Sequence, residues 1–553
     1  ALPPSYEGRY FFADFVARRL FSLRLDVDPA TGEATARDVR DHTTEVGGPS
    51  ALGNVSAIEV DAFGELFVVD FGGRVLRLEA AVPDEDADGL PDAWERRFGL
   101  DAASATGEDG PDGDPDGDGR PNAIEFSRGS HPRGFVRYHL AEGATSDTFF
   151  DMSVNLLNPG DARATAVVTF QRSDGAEVPQ AHVVAPGRRL SIDPTGWPGL
   201  RSAEFSTLVE ADAPLVVSRD MRWDTARGYG AHAEHAVETP ATEWVLAEGA
   251  THSGFQLFYL LQNPGPEPVV LDVRYLRPAP LPPVVKRYEV PATSRRTLWV
   301  NHEDAALAAT DVSAVLASAN GRPFVVERAM YRDSGGQAYG AGHASAGLPA
   351  AAVEWTLAEG ATGPLFDEFI LLANPSDTPA QATITYLLEG GATYTRSLEV
   401  PANARRNVWV DFDQPDGTTG FPLANASLSA RVEVTNGVPI IVERAMWWGG
   451  SPATWYEAHS SAGATATGTL WALAEGEARG STRTFLLIGN PSAQAAEVAV
   501  TLLFEGLAPV TRTFQVGASS RRTLEGGVEF PEAVGREFGA MVESLGAAPA
   551  PIV

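Results

Sequence analysis

The segment Trp355-Thr356-Leu357-Ala358-Glu359-Gly360 decides how most of this chain is read. Its core, Leu-Ala-Glu-Gly, occurs at residues 140–143, 246–249, 357–360 and 473–476, at spacings of 106, 111 and 116 residues. Solenoid units repeat every 20–50 residues or so, so periods this long mean whole domains in tandem. The same landmarks follow each copy. An apolar stretch ends in Asn-Pro (Asn158, Asn263, Asn374 and Asn490 with the prolines after them), and an Arg pair comes next (188–189, 295–296, 405–406 and 521–522). Then comes a Pro-led apolar strand carrying Arg and Met (214–221, 323–330 and 439–446), and after it a His: His232 or His235, His343, His459.

Between landmarks the pattern is short and strand-like. Ala382-Thr383-Ile384-Thr385-Tyr386-Leu387-Leu388 alternates, Glu389-Gly390-Gly391 turns, and residues 394–400 alternate again, which reads as a hairpin. Seven or eight such strands in about 110 residues resemble an immunoglobulin-like sandwich in size and strand count. The pattern as a whole resembles tandem repeats of large secreted bacterial proteins. The expected sandwiches are 135–241, 242–352, 353–467 and a truncated 468–553, since Pro551-Ile552-Val553 matches the start of Pro439-Ile440-Ile441. The last sheet is therefore expected to lack strands and expose an edge.

The recurring Glu, Arg and His raise the question of catalysis. Glu327 and Arg328 are neighbours on a strand, so they point to opposite faces and do not form one site. Groups repeated in tandem copies are better read as holding each sandwich together or setting the angle to its neighbour. Trp447, Trp448 and Trp455 are read as core aromatics, with a sugar platform as the alternative.

Upstream lies Asp84-Glu85-Asp86-Ala87-Asp88-Gly89-Leu90-Pro91-Asp92-Ala93-Trp94-Glu95. Asp84, Asp86, Asp88, Asp92 and Glu95 fall at positions 1, 3, 5, 9 and 12 of a calcium loop. Gly89 sits at the sharp turn, and the Leu90 carbonyl serves position 7. Thirty residues on, Asp114, Asp116, Asp118, Asn122 and Glu125 repeat the arrangement, with Gly119 at the turn and the Arg120 carbonyl at position 7. Hard oxygens in this number select Ca²⁺, two ions in all. Pro91 and Pro121 have no N–H with which to pair the loops as EF-hands do, but they suit short helices over 91–98 and 121–127. The segment 81–134 resembles bacterial thrombospondin type 3 repeats, a resemblance that implies a connector stiffened by calcium.

Residues 1–80 read as strands with tight turns, at 10–15, 20–26, 57–61, 66–70 and 74–79. Gly8-Arg9-Tyr10-Phe11-Phe12-Ala13-Asp14-Phe15 and Asp61-Ala62-Phe63-Gly64-Glu65-Leu66-Phe67-Val68-Val69-Asp70 with Gly72-Gly73-Arg74-Val75 resemble the end of a glucose/sorbosone dehydrogenase β-propeller. That resemblance covers under two blades and implies a quinone-dependent sugar dehydrogenase upstream. None of that family's catalytic or quinone-binding residues is matched here.

Composition narrows the function. A formal charge of −31 disfavours nucleic acid and anionic membranes. The chain has no Cys, which removes disulfides and thiolate chemistry. Lys286 stands alone among the basic residues, the rest being Arg. No apolar run reaches the ~18 residues of a membrane span, and Ala1-Leu2-Pro3-Pro4 reads as an internal cut. Asn54-Val55-Ser56 and Asn425-Ala426-Ser427 fit the glycosylation triplet, which arises often by chance. The expectation is a mostly-β secreted or cell-surface protein: partial propeller blades, a calcium connector with small helices, and tandem sandwiches. Its role would be a stalk or adhesive display array, meeting polysaccharide or other copies of itself. The alternatives are the tail of a dehydrogenase-like enzyme and a carbohydrate-binding array.

Overall fold

The computed structural model describes residues 6–553 apart from 7, 28–32, 61–65, 79–82, 224–229, 335–336, 450–454 and 481. Part of the propeller-like cadence, residues 61–65, lies outside the described residues. The chain divides into two compact units, residues 1–111 and 112–553.

The first unit holds two antiparallel three-stranded sheets. One runs Tyr10–Asp14, Arg19–Val27, Ala34–Asp41; the other Val55–Val60, Leu66–Asp70, Arg74–Arg77. A propeller blade has four strands; each of these sheets has three among the described residues. The strand Ala34–Asp41 went unnoticed in the sequence because it is exposed along its whole length and carries no apolar alternation. A small core of Leu20, Leu52, Val55 and Val68 joins the sheets.

Most of the second unit is β-sandwich, built the same way in the first three repeats. In the second, Glu243–Leu246, Ser313–Ser318, Val269–Leu276 and Val284–Val290 form one sheet in that spatial order. Ser294–Trp299, Phe255–Asn263, Val325–Ser334 and Gln337–Ala346 form the other. The alternating residues Leu257, Tyr259 and Leu261 face Leu271, Val273 and Tyr275 across the sandwich in one core, with the two tyrosine rings stacked at 6.2 Å. The architecture is the expected sandwich, but the strand order is its own. The first and second strands, and the second and third, lie in different sheets, so the order is 1-6-3-4 over 5-2-7-8 rather than the immunoglobulin arrangement. The Asn of each Asn-Pro pair closes the corner between sheets. Asn263 donates to the Glu267 and Pro291 carbonyls and accepts from the Gly265 N–H, and Asn158, Asn374 and Asn490 do the same work. In the fourth repeat the second sheet has two strands, Phe485–Asn490 and Ser520–Glu525, with the Val553 and Gly489 backbones bonded beside them.

The repeats do not trail out as a string with reach, as a stalk would. Each lays the outer face of its second sheet against the repeat before it, and the contact is head-to-tail, the kind that closes into a ring when the rotation allows. Glu327 of the second repeat accepts hydrogen bonds from the Ala141 and Glu142 N–H groups of the first repeat's Leu-Ala-Glu-Gly motif, at 2.8 and 3.3 Å. It also accepts one from Arg219 at 2.6 Å. Glu443 of the third repeat does the same to Ala247, Glu248 and Arg328 of the second. The first Arg of each pair binds backward too: Arg405 to the Gly249 and Val312 carbonyls, and Arg521 to the Gly360 and Leu428 carbonyls. The circle closes because Arg189 of the first repeat binds the Ala474 carbonyl, Glu475 and Glu537 of the fourth. Leu157 packs there on Ala474 and Leu503. The edge strands Gly230–His235, Gln337–Ala346 and Glu457–Ala462 pack on one another and so cover edges that would otherwise template aggregation.

Candidate functional site

Each acidic loop is positioned by the short helix it feeds. Pro91 and Pro121 are the N-cap residues of Asp92–Phe98 and Asn122–Arg128, their fixed φ already set for the helix start. Each helix ends on a left-handed glycine, Gly99 or Gly129. Gly89 and Gly119 also have positive φ, 96° and 88°, with open space where a side chain would be. The turn at position 6 therefore needs glycine for its conformation and not for room.

In the first unit, carboxylate oxygens of Asp84, Asp86 and Asp88 lie within 4.8 Å of one another. Glu95 comes back toward them from the first turns of the helix. It is fully buried, and neither of its oxygens has a hydrogen-bond partner among the described residues. Burial, then the charges of Asp88, Asp86, Asp92 and Asp84, push its carboxyl up to about 7. One oxygen each of Asp86 and Asp88 is also buried without a partner. Asp92 is spent differently: one oxygen accepts from the Glu85 N–H at 2.7 Å and the other faces Arg96 at 2.9 Å. Leu90 is buried, and its N–H is held by Asp88.

In the second unit, Asp114, Asp116 and Asp118 converge in the same way. Glu125 is fully buried, with one oxygen taken by Ser130 at 3.3 Å and the other unpartnered; burial, Asp116 and Asp118 push it up to about 8. Asn122 is buried beside it, and Arg120 extends its side chain toward Asp118 at 3.7 Å. The second loop differs in having a brace that its own sequence does not contain. Arg137, on the first strand of the sandwich, reaches Asp118 at 2.8 Å and Asp116 at 3.4 Å, while also facing Glu210. The Gly134 N–H donates to Asp116 at 3.0 Å. These partners lie 18 to 21 residues from the aspartates they hold, and no spacing rule marks them.

Both donor sets fit a hard cation. They are oxygens only, mostly carboxylate, arranged round a tight turn, with buried oxygens that no group among the described residues answers. Burying an unanswered carboxylate is costly, and a divalent ion is the partner that removes the cost.

The histidines that follow each strand block sit at the repeat junctions. His343 is buried 3.2 Å from Glu248, which also pairs with Arg328; His232 is buried 3.7 Å from Glu142, which pairs with Arg219. Burial pulls both imidazoles below their usual range. These recurring charged groups hold the repeats to one another.

No sequence family and no curated protein matches the chain. Among solved structures it is similar to Thermotoga maritima 1070, at 14% identity and TM-score 0.17, over 19% of this chain and 94% of that one. It is also similar to the tetra-tandem repeat in the extending region of a large adhesion protein, at 11% identity and TM-score 0.09, over 71% of this chain and 94% of that one. Among the described residues, no helix is long and apolar enough to cross a membrane.

Proposed function

We propose that this chain is a non-catalytic structural and adhesive module of a secreted or cell-surface protein, in which calcium locks the acidic segment that leads into a rigid four-repeat ring. One observation carries the reading: Glu95 and Glu125 are buried at the twelfth position of two acidic loops with oxygens that no group among the described residues satisfies. Asp84, Asp86, Asp88 and Glu95 would hold one ion, with the Leu90 carbonyl. Asp114, Asp116, Asp118 and Glu125 would hold the other, with the Arg120 carbonyl. Asp92 and Asn122 stand at the ninth position, where a ligand acts through water in many such loops. Bound calcium neutralises the clustered carboxylates, and the protein does the rest: the glycine turns set the loops, and Arg137 and Gly134 fasten the second loop to the first sandwich. The charged groups of the repeats are taken up by the junctions, which supports a scaffold role over a catalytic one.

Calorimetric titration of the whole chain with CaCl₂ tests this. Two bound ions are expected, with EDTA increasing protease cleavage within residues 84–125. Absence of binding heat together with unchanged cleavage would remove calcium from the account.

A further inference from the structure

The second and third repeats leave between them a cavity of about 270 Å³. It is walled by Phe255 of the second repeat and by Trp447 and Trp455 of the third, whose indoles stack at 5.5 Å. Arg332 enters it from the second repeat. Its guanidinium lies 5.6 Å from the Phe255 ring centre and 5.5 Å from that of Trp455. Arg332 is only 9% exposed, yet its Nε and one Nη make no hydrogen bond among the described residues. A guanidinium over aromatic rings is favourable, but the rings occupy its faces and leave its N–H edges without acceptors. The carboxylates nearby are already engaged: Asp311 with His252, Glu248 with Arg328 and His343, and Asp333, whose charge acts on Arg332, with the Tyr339 N–H.

The neighbouring junction provides the comparison. Strand register places Arg332 opposite Phe255, Trp223 opposite Phe150 and Trp448 opposite Phe366, so Trp223 and Arg332 are equivalent positions in successive repeats. Trp223 is 1% exposed and fills its junction. Its ring meets Tyr331 edge-on at 5.3 Å, and its N–H donates to the Tyr339 carbonyl. Arginine in place of that plug leaves the space open and puts a guanidinium with unpartnered N–H groups into it.

We infer that this cavity binds a small carboxylate-bearing saccharide, a sugar acid of the uronate type, with the carboxylate on Arg332 and an apolar face of the ring against the aromatic walls. One free guanidinium matches one carboxylate in charge and geometry. The volume falls just below the range of small-ligand sites, roughly 300 Å³ and upward, which suits a ligand no larger than one sugar residue. Asn407, which accepts from Arg405, and Asp311, which faces His252, line the same cavity and give it a polar side for a hydroxylated ligand. The inference stands apart from the calcium reading, since no loop residue lines the cavity.

The test uses the whole chain and the monosaccharides D-glucuronate and D-galacturonate, followed by saturation-transfer NMR and calorimetry. Binding of at least one uronate is expected, at least tenfold tighter than D-glucose or acetate. Arg332→Trp copies the plug of the neighbouring junction; it should abolish binding and leave the melting temperature unchanged or raised. Trp455→Ala should weaken uronate binding and keep the preference over D-glucose. The inference is overturned if neither uronate binds, if Arg332→Trp binds as the parent does, if D-glucose equals the uronates, or if acetate does, since a bare counter-ion site needs no aromatic wall.

Discussion

At the junction of the first two repeats, Glu327 is buried among two backbone N–H groups and the Arg219 guanidinium, each within 3.3 Å. In the first acidic loop, Glu95 is buried just as completely and meets the charges of four aspartates. The residue type is the same, and so is the depth. What differs is whether the protein supplies the partner. Where it does, as at Glu327 and Glu443, the carboxylate is part of the architecture. Where it does not, as at Glu95, the proposed partner is a calcium ion. Arg332 is the same case with the sign reversed.

The largest expected effect breaks the matched side of this comparison. Glu327→Ala removes the acceptor of two buried N–H groups and one of the two carboxylates on Arg219, and a buried pair that loses one member costs about 3–5 kcal/mol. Urea denaturation followed by tryptophan fluorescence should show it. The exposed pair of Glu354 with Arg431 is the control, and Glu354→Ala should cost under about 1 kcal/mol. Equal losses for the two variants would mean that the junction carboxylates do not hold the ring.

Supplying the missing partner to the unmatched side should come next in size. Free calcium at a hundred times its dissociation constant stabilises a loop by about 2.7 kcal/mol. Glu95→Gln and Glu125→Gln should each remove one of two ions in a calorimetric titration. If both variants still bind two, the buried glutamates are not ligands.

Acid provides a third probe of the matched side, of about 2 kcal/mol. Burial opposes ionisation of Glu248, but His343 and Arg328 overcome it and hold its carboxyl down to about 2. A depressed carboxyl adds stability above its unfolded value near 4.3 and loses it as pH falls toward 2. The urea midpoint should therefore fall between pH about 4.5 and 2, and Glu248→Gln should flatten that part of the profile. An unchanged slope in the variant would place the acid sensitivity elsewhere.

The sequence was most readable where local rules apply. Period-two alternation and glycine turns locate most strands, and the one in the described unit 1 that they miss, Ala34–Asp41, has no buried face to alternate with. Loop arithmetic brings Asp84, Asp86 and Asp88 together because their spacing is a property of one turn. The junctions were hidden because their partners are far apart in the chain. Glu327 and Ala141 are separated by 186 residues, and Arg189 reaches Glu475 across 286. Adjacency rightly sends Glu327 and Arg328 to opposite faces, but each meets a group of a different repeat, so two groups that do not share a site serve two junctions. Arg332 differs visibly from its equivalents Trp223 and Trp448, yet the difference acquires meaning only once Trp455 is known to face it.

The smallest expected effect separates the two loops from each other. Arg137 already neutralises part of the charge of Asp116 and Asp118, so it competes with the ion for the second loop; the corresponding aspartates of the first loop, Asp86 and Asp88, each keep a buried oxygen unpartnered. The arginine is 35% exposed, and water weakens the pair to about 0.2–1 kcal/mol. Arg137→Gln should therefore tighten calcium binding at the second loop by up to about fivefold and leave the first loop unchanged. The Glu95→Gln background, with one site left, makes the measurement clean. Weaker binding in the variant would mean that Arg137 orders the aspartates for the ion and does not stand in for it.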